Sequence, residues 1–70
     1  MKKYTSASEL TKYPFRKNID YKCLKCGDII PSDPPTNVHC TCRNIMIDRD
    51  AGRMKVNDPS QVQMIEEIPN

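Results

Sequence analysis

The residues best equipped for chemistry are four cysteines in two close pairs, Cys23-Leu24-Lys25-Cys26 and Cys40-Thr41-Cys42, with His39 directly before the second pair. Thiols so spaced can ligate a metal as thiolates, form disulfides, or supply a nucleophile. Zn²⁺ takes four thiolate or imidazole ligands in a tetrahedron, and a Cys-x₂-Cys step brings two sulfurs from one turn to adjacent corners. Cys23 and Cys26 have that step, whereas Cys40 and Cys42 are separated by one residue, a less common chelating arrangement. The stretch 27–39 is long enough to fold back and join the pairs in one site. His39 and Cys42 also stand in a His-x₂-Cys spacing, so His39 is either an alternative ligand or a hydrogen-bond donor to a sulfur. The expected site is Cys23, Cys26, Cys40 and Cys42 around one structural Zn²⁺, with mononuclear iron as the other candidate for a four-sulfur site.

Disulfides need an oxidising compartment. Met1-Lys2-Lys3 is a basic start, but no apolar h-region follows it, so a secretory signal is not expected. Ile45-Met46-Ile47 is the longest aliphatic run, far short of the ~20 residues that span a bilayer. A cytoplasmic chain with reduced thiols and no membrane partner is the expectation.

The elements that must position these thiols are short. Gly27 directly after Cys26 suits a tight bend in which amide N–H groups point at sulfur. Asp28 to Asn37 contains Pro31, Pro34 and Pro35, which predicts a stiff loop without regular structure. After Cys42, Asn44-Ile45-Met46-Ile47-Asp48 and Arg53-Met54-Lys55-Val56-Asn57 read as two strands, and Arg49-Asp50-Ala51-Gly52 has the chemistry of the turn between them. Ile45 and Ile47 would share one face, with Met54 and Val56 opposite. Residues 58–68 fit two patterns. Asp58-Pro59-Ser60-Gln61 could start a helix striped by Val62, Ile65 and Ile68. The same residues could make a turn into a third strand with Val62 and Met64 inward, which would complete a sheet. Residues 1–20 read as an arm, with Ser6 or Ser8 capping a short helix that Pro14 ends. The division expected is therefore an arm at 1–20 and a metal-stabilised β domain at 21–70.

Size supports a metal. A 70-residue chain buries only about 60 % of the surface its unfolded form exposes. With 37 % hydrophobic residues, no Trp and a mean hydropathy of −0.70, an apolar core alone would be marginal.

The run Cys23-Leu24-Lys25-Cys26-Gly27-Asp28-Ile29-Ile30-Pro31-Ser32, then Cys40-Thr41-Cys42 and Asn44-Ile45-Met46-Ile47-Asp48, resembles the zinc ribbon, and more narrowly a group of short bacterial proteins of undetermined activity. The likeness covers about residues 21–57. It implies a small antiparallel sheet, expected here to be three-stranded, with zinc clamped at one end by two cysteine turns. Zinc ribbons commonly follow the second thiol of a turn with Gly, and this chain has Arg43 after Cys42. The resemblance implies no activity, because one ribbon serves many functions.

Four thiolates close the coordination sphere, and the His-x-Glu element of zinc deaminases is absent, so neither an enzyme nor a small-molecule substrate is expected. Two binding classes remain. Residues 1–26 carry seven Lys/Arg against two acids, whereas residues 27–70 carry four against seven. The basic part also holds every aromatic residue, so Lys12, Tyr13, Phe15, Arg16, Lys17, Tyr21, Lys22 and Lys25 could contact nucleic acid, phosphates on the cations and bases on the rings. Alternatively, Phe15 and Tyr21 pack over the metal end and the lysines are simply solvated. Asp48, Asp50, Asp58, Glu66 and Glu67 could instead meet a basic protein partner, in the manner of an inhibitor or immunity protein. A protein-interaction module is the leading expectation, with an unidentified protein partner, and nucleic-acid binding is its alternative.

Overall fold

Alternation of buried and less buried side chains builds the first extended elements: Ile19, Tyr21 and Cys23 are buried and Asp20 and Lys22 are not, which is the period of a half-buried strand. The computed structural model describes residues 1–69. Asn70, the last residue of the expected 21–70 domain, lies outside the described residues. Strands β1 (Lys2–Ser6), β2 (Ile19–Cys23), β3 (Ile29–Pro31), β4 (Val38–His39), β5 (Ile45–Asp48), β6 (Arg53–Val56) and β7 (Val62–Glu67) are joined by turns, with 3₁₀ turns at Ala7–Glu9 and Pro59–Gln61. They form two antiparallel sheets, one in the order β1-β7-β2-β3 and one in the order β4-β5-β6.

One apolar cluster draws on both sheets. Ile19, Tyr21 and Cys23 from β2, Ile30 from β3, Val62 and Met64 from β7, and Ile45 and Ile47 from β5 are buried together with Ala7 and Cys40. At about 25 cal/mol per Å² of apolar surface, a cluster of this size is thin for an independent domain. Polar ties supplement it. Ser32, 1 % exposed, donates its hydroxyl to the Arg16 carbonyl at 2.5 Å and accepts the Arg16 N–H at 2.9 Å. The buried Tyr21 donates its hydroxyl to the Pro14 carbonyl at 2.7 Å, and the Tyr13 ring meets the Tyr21 ring edge-on with centroids 6.3 Å apart. Burial, with a smaller contribution from Tyr13, pushes the Tyr21 hydroxyl well above its ordinary pKa and keeps it a donor.

The β5–β6 hairpin has the expected partners, Ile45 opposite Val56 and Ile47 opposite Met54. Its turn closes through the Gly52 N–H on the Arg49 carbonyl and the Ala51 N–H on Asp48 Oδ1, both at 3.1 Å. Gly52 sits at φ 65°, where a side chain would be strained.

Four expectations are corrected. The expected arm at 1–20, irregular or a short helix, is so only in part: residues 2–6 pair with residues 63–67 along β7, Ser6 caps only a 3₁₀ turn, and residues 10–18 carry no helix or strand. The segment 28–37 is not wholly a loop, because Ile29–Pro31 pairs with β2; proline is tolerated there because β3 is an edge strand. Residues 62–67 are a strand with Val62 and Met64 buried, but β7 joins β1 and β2 and leaves the β5–β6 hairpin to pair with β4. A single three-stranded sheet is thus replaced by two sheets. The helix start at Asp58-Pro59 survives only as a 3₁₀ turn capped by Asp58 Oδ1 on the Ser60 N–H at 3.2 Å.

Candidate metal centre

Two hairpins of matching design carry the cysteines, one in each sheet. In the first, between β2 and β3, the Cys23 N–H donates to the Asp28 carbonyl at 2.8 Å, and the Gly27 N–H donates to the Cys23 carbonyl at 2.8 Å. In the second, between β4 and β5, the Cys40 N–H donates to the Ile45 carbonyl at 3.1 Å, and the Arg43 N–H donates to the Cys40 carbonyl at 2.9 Å. Both spans therefore close five residues on from their first cysteine, and in both the residue after the second cysteine closes the inner turn. That residue is left-handed in each case, Gly27 at φ 81° and Arg43 at φ 61°. A Cβ at Gly27 would meet nothing within 4 Å, so what glycine relieves there is torsional. Arg43 bears that strain where the ribbon pattern has glycine, and the Cys-x-Cys step closes an inner turn one residue shorter than that of Cys-x₂-Cys within an outer span of the same length.

The four Sγ atoms all lie within 4.8 Å of one another. Cys23 and Cys42 are 3.4 Å apart and Cys40 and Cys42 are 3.7 Å apart, and all four are free thiols. A disulfide would need about 2.05 Å. Ligand bonds of about 2.3 Å set tetrahedral sulfurs about 3.8 Å apart, so the cluster fits one metal ion of that kind. The backbone also points at sulfur: the Ile45 N–H donates to Cys40 Sγ at 3.3 Å. Cys23 and Cys40 are buried, Cys26 is half-buried and Cys42 is exposed.

In the metal-free chain the thiols share charge unevenly. Burial of Cys23 opposes ionisation, yet the Cys26 N–H, the Cys42 thiol and the Lys25 N–H outweigh it and hold Cys23 down to about 7. For Cys42 the Asn44 N–H favours the thiolate, but the neighbouring Cys23 thiol, burial and the other two thiols push it up to about 12. Across the 3.4 Å pair, ionisation is favoured at Cys23 and opposed at Cys42. A divalent cation supplies the positive charge that lets neighbouring thiols ionise together.

Three residues with no assigned role in the sequence reading hold the two turns in place. Asp28 Oδ2 accepts the Thr41 N–H at 2.7 Å and the Thr41 hydroxyl at 2.5 Å, which ties the first cysteine turn to the second. The Thr41 hydroxyl and then its N–H hold the Asp28 carboxyl below its ordinary pKa. Asn44, 3 % exposed, accepts the Asp58 N–H at 2.7 Å and donates to the Asp58 carbonyl at 3.2 Å, as a neighbouring strand would. The Asp after Cys26-Gly27 was visible as part of the pattern, but its acceptor role depends on the position of Thr41 in the other sheet.

His39 turns Nδ1 to the Cys40 carbonyl oxygen at 2.8 Å, and the four-sulfur cluster does not include it. Of the basic and aromatic set, Tyr21 is in the core, and Tyr13 packs against it. Phe15, 37 % exposed, lines a recess beside the β5–β6 turn and does not cover the metal end. Lys22 is on the face of β2 away from the buried side chains, and Lys25 pairs with Asp58 at 4.0 Å beside the first cysteine turn. Lys12, Arg16 and Lys17 are exposed in the connection before β2. The acidic set is divided among three elements: Asp48 and Asp50 at the β5–β6 turn, Asp58 at the 3₁₀ cap, and Glu66 and Glu67 opposite Lys3 and Lys2 on β1. Among the described residues no helix is long and apolar enough to cross a membrane. Compared with family models, characterised proteins and solved structures, the chain has no match.

Proposed function

We propose that this chain is a non-enzymatic zinc-binding module of the zinc-ribbon kind, and that its work is a protein–protein interaction. The observation that carries the reading is the four-sulfur cluster, formed by two hairpin turns of matching hydrogen-bond design from two different sheets. Zinc is the usual occupant of four thiolates at such spacings, and held by Cys23, Cys26, Cys40 and Cys42 it would cross-link the sheets. Four protein ligands leave no open position for water or substrate, which supports a structural metal. A protein partner is favoured over nucleic acid because Tyr13 and Tyr21 are engaged in the core, leaving Phe15 as the one exposed ring of the proposed stacking set.

Native mass spectrometry with metal analysis of the freshly purified protein tests the metal. One zinc per chain is expected, retained in His39→Ala and weakened or lost in Cys40→Ser and Cys42→Ser. A metal-free chain whose mass reports two disulfides would overturn the reading. Titration with single-stranded oligonucleotides tests the interaction class. A flat titration is expected; affinity that falls steeply with salt and drops in Arg16→Ala plus Lys17→Ala would replace the protein partner by nucleic acid.

A further inference from the structure

We infer that the Cys40-Thr41-Cys42 turn is the detachable side of the metal site and that Asp28 is its latch: the ion is exchanged by way of Cys42, at a rate set by the hold of Asp28 on Thr41. This rests on the zinc-binding reading of the cluster and assigns the site a direction of exchange.

The four sulfurs are not held alike. Cys23 and Cys40 are fully buried members of the apolar cluster, and Cys26 packs against it. The backbone fixes both buried cysteines: Cys23 lies opposite Val62 on β7, and Cys40 donates its N–H to the Ile45 carbonyl while its Sγ accepts the Ile45 N–H. Cys42 stands apart as the exposed member of the four, in the middle of three consecutive exposed residues, Thr41, Cys42 and Arg43. An incoming ligand therefore meets Cys42 before the other sulfurs.

The exposed turn is kept against the first one by Thr41. Apart from sulfur–sulfur contacts, the hydrogen bonds between residues 23–28 and 40–45 among the described residues are those of its N–H and its hydroxyl, which both reach Asp28 Oδ2, at 2.7 and 2.5 Å. Asp28 is a firm post for them, because its own carbonyl accepts the Cys23 N–H at 2.8 Å and its carboxylate is thus mounted on the residue that closes the first hairpin. Thr41 sits directly between Cys40 and Cys42, so while it is held Cys42 stays 3.4 Å from Cys23. On the far side of Cys42 the left-handed Arg43 carries torsional strain that opening of the turn would relieve. Hydrogen bonds to a charged acceptor are strong, and these two face water, so they fasten the turn without making it permanent.

Exchange is then a substitution at one corner. Thr41 leaves Asp28, the turn opens, and an incoming thiolate or chelator nitrogen gives its electron pair to the ion as Cys42 withdraws its own. The freed Cys42 is reprotonated by solvent, and no oxidation state changes. Cys23, Cys26 and Cys40 hold the ion meanwhile. A site whose four sulfurs were equally fixed would exchange its ion only when the whole domain unfolds.

The test uses the zinc-loaded full chain. An excess of a chromophoric chelator reads the rate of zinc release, and timed alkylation with N-ethylmaleimide followed by peptide mass mapping reads which thiol is freed first. Cys42 should be alkylated first. Asp28→Ala should speed both zinc release and Cys42 alkylation by about tenfold, the scale of a lost hydrogen bond to a charged acceptor. Thr41→Val keeps the N–H and loses the hydroxyl, so it should speed them less, and Thr41→Ser, with both donors, should restore the slow rate. Ser32→Ala is the comparison for lost stability alone, since it removes the buried tie to Arg16. It should lower the melting temperature without speeding release. First alkylation at another cysteine overturns the exit through Cys42. Release as slow in Asp28→Ala and Thr41→Val as in the parent overturns the latch, and release that follows the melting temperature through every variant, Ser32→Ala included, overturns both. The zinc released from the parent chain upholds the zinc-binding reading in each of these cases, whereas a chain that takes up no zinc overturns that reading and the latch with it.

Discussion

Arg43 holds a backbone conformation that costs an L-residue about 1–2 kcal/mol and costs glycine little. Its carbonyl accepts the Asn57 side-chain amide at 3.3 Å, a bond that glycine would keep. Arg43→Gly should therefore stabilise the zinc-loaded protein by about 1 kcal/mol, after some loss to the greater freedom of glycine in the unfolded chain. Chemical denaturation checks this; an unchanged or lowered midpoint would mean that the arginine side chain makes a compensating contact. The thiols carry a second prediction. Each thiol must give up its proton to become a thiolate ligand, so metal affinity should fall as the pH is lowered below the ordinary thiol range, which competition against a chromophoric chelator across pH would measure.

At the scale of elements, the two cysteine hairpins show how different sequences reach one geometry. Cys-Leu-Lys-Cys-Gly and Cys-Thr-Cys-Arg both close a span from the first cysteine to the residue five on, one spending its extra residue between the thiols and the other after them. β1 is the element whose role departs furthest from expectation. It forms a five-residue antiparallel ladder on β7, with Tyr4 opposite Ile65 and Thr5 opposite Met64. Without it β7 would become an edge strand and the 8 % exposed Ile65 would keep Asp20 as a cross-strand neighbour but lose Tyr4. Deletion of residues 1–6 should lower the melting temperature of the zinc-loaded protein by on the order of 10 °C. A solvated arm would leave the melt unchanged.

For the whole molecule, the four-cysteine cluster lies where the two sheets meet. Each sheet contributes one pair of thiols, and the Asp28–Thr41 and Asn44–Asp58 hydrogen bonds run beside that junction. The apolar cluster is small, and a chain of 70 residues has roughly 4–10 kcal/mol of stability to draw on. Structural zinc in small domains contributes about 10–16 kcal/mol of apparent binding energy at neutral pH. Removing it with a strong chelator should abolish cooperative unfolding and collapse the amide dispersion of both sheets together. Retention of a cooperative melt after complete metal removal would show that the cluster and its polar ties suffice alone.

The four thiols, the β5–β6 hairpin with its facing pairs, and the inward positions of Val62 and Met64 were all legible in the sequence. Each is encoded by residues close together in the chain: a ligand spacing, a two-residue alternation, a turn rich in Asp and Gly. What only the tertiary structure decided joins segments far apart. That residues 2–6 are a strand depends on residues 63–67 lying beside them. That β7 completes one sheet while β4 completes the other depends on which edges the chain leaves free. Tyr13 and Tyr21 look equally fit to stack on bases or to fill a core until Pro14 and the β2 face are in place. Asp28 and Asn44 are ordinary polar residues in the sequence. They become the fastenings of the cysteine cluster because Thr41 and Asp58 are brought to them, and spacing along a single strand carries no record of that approach.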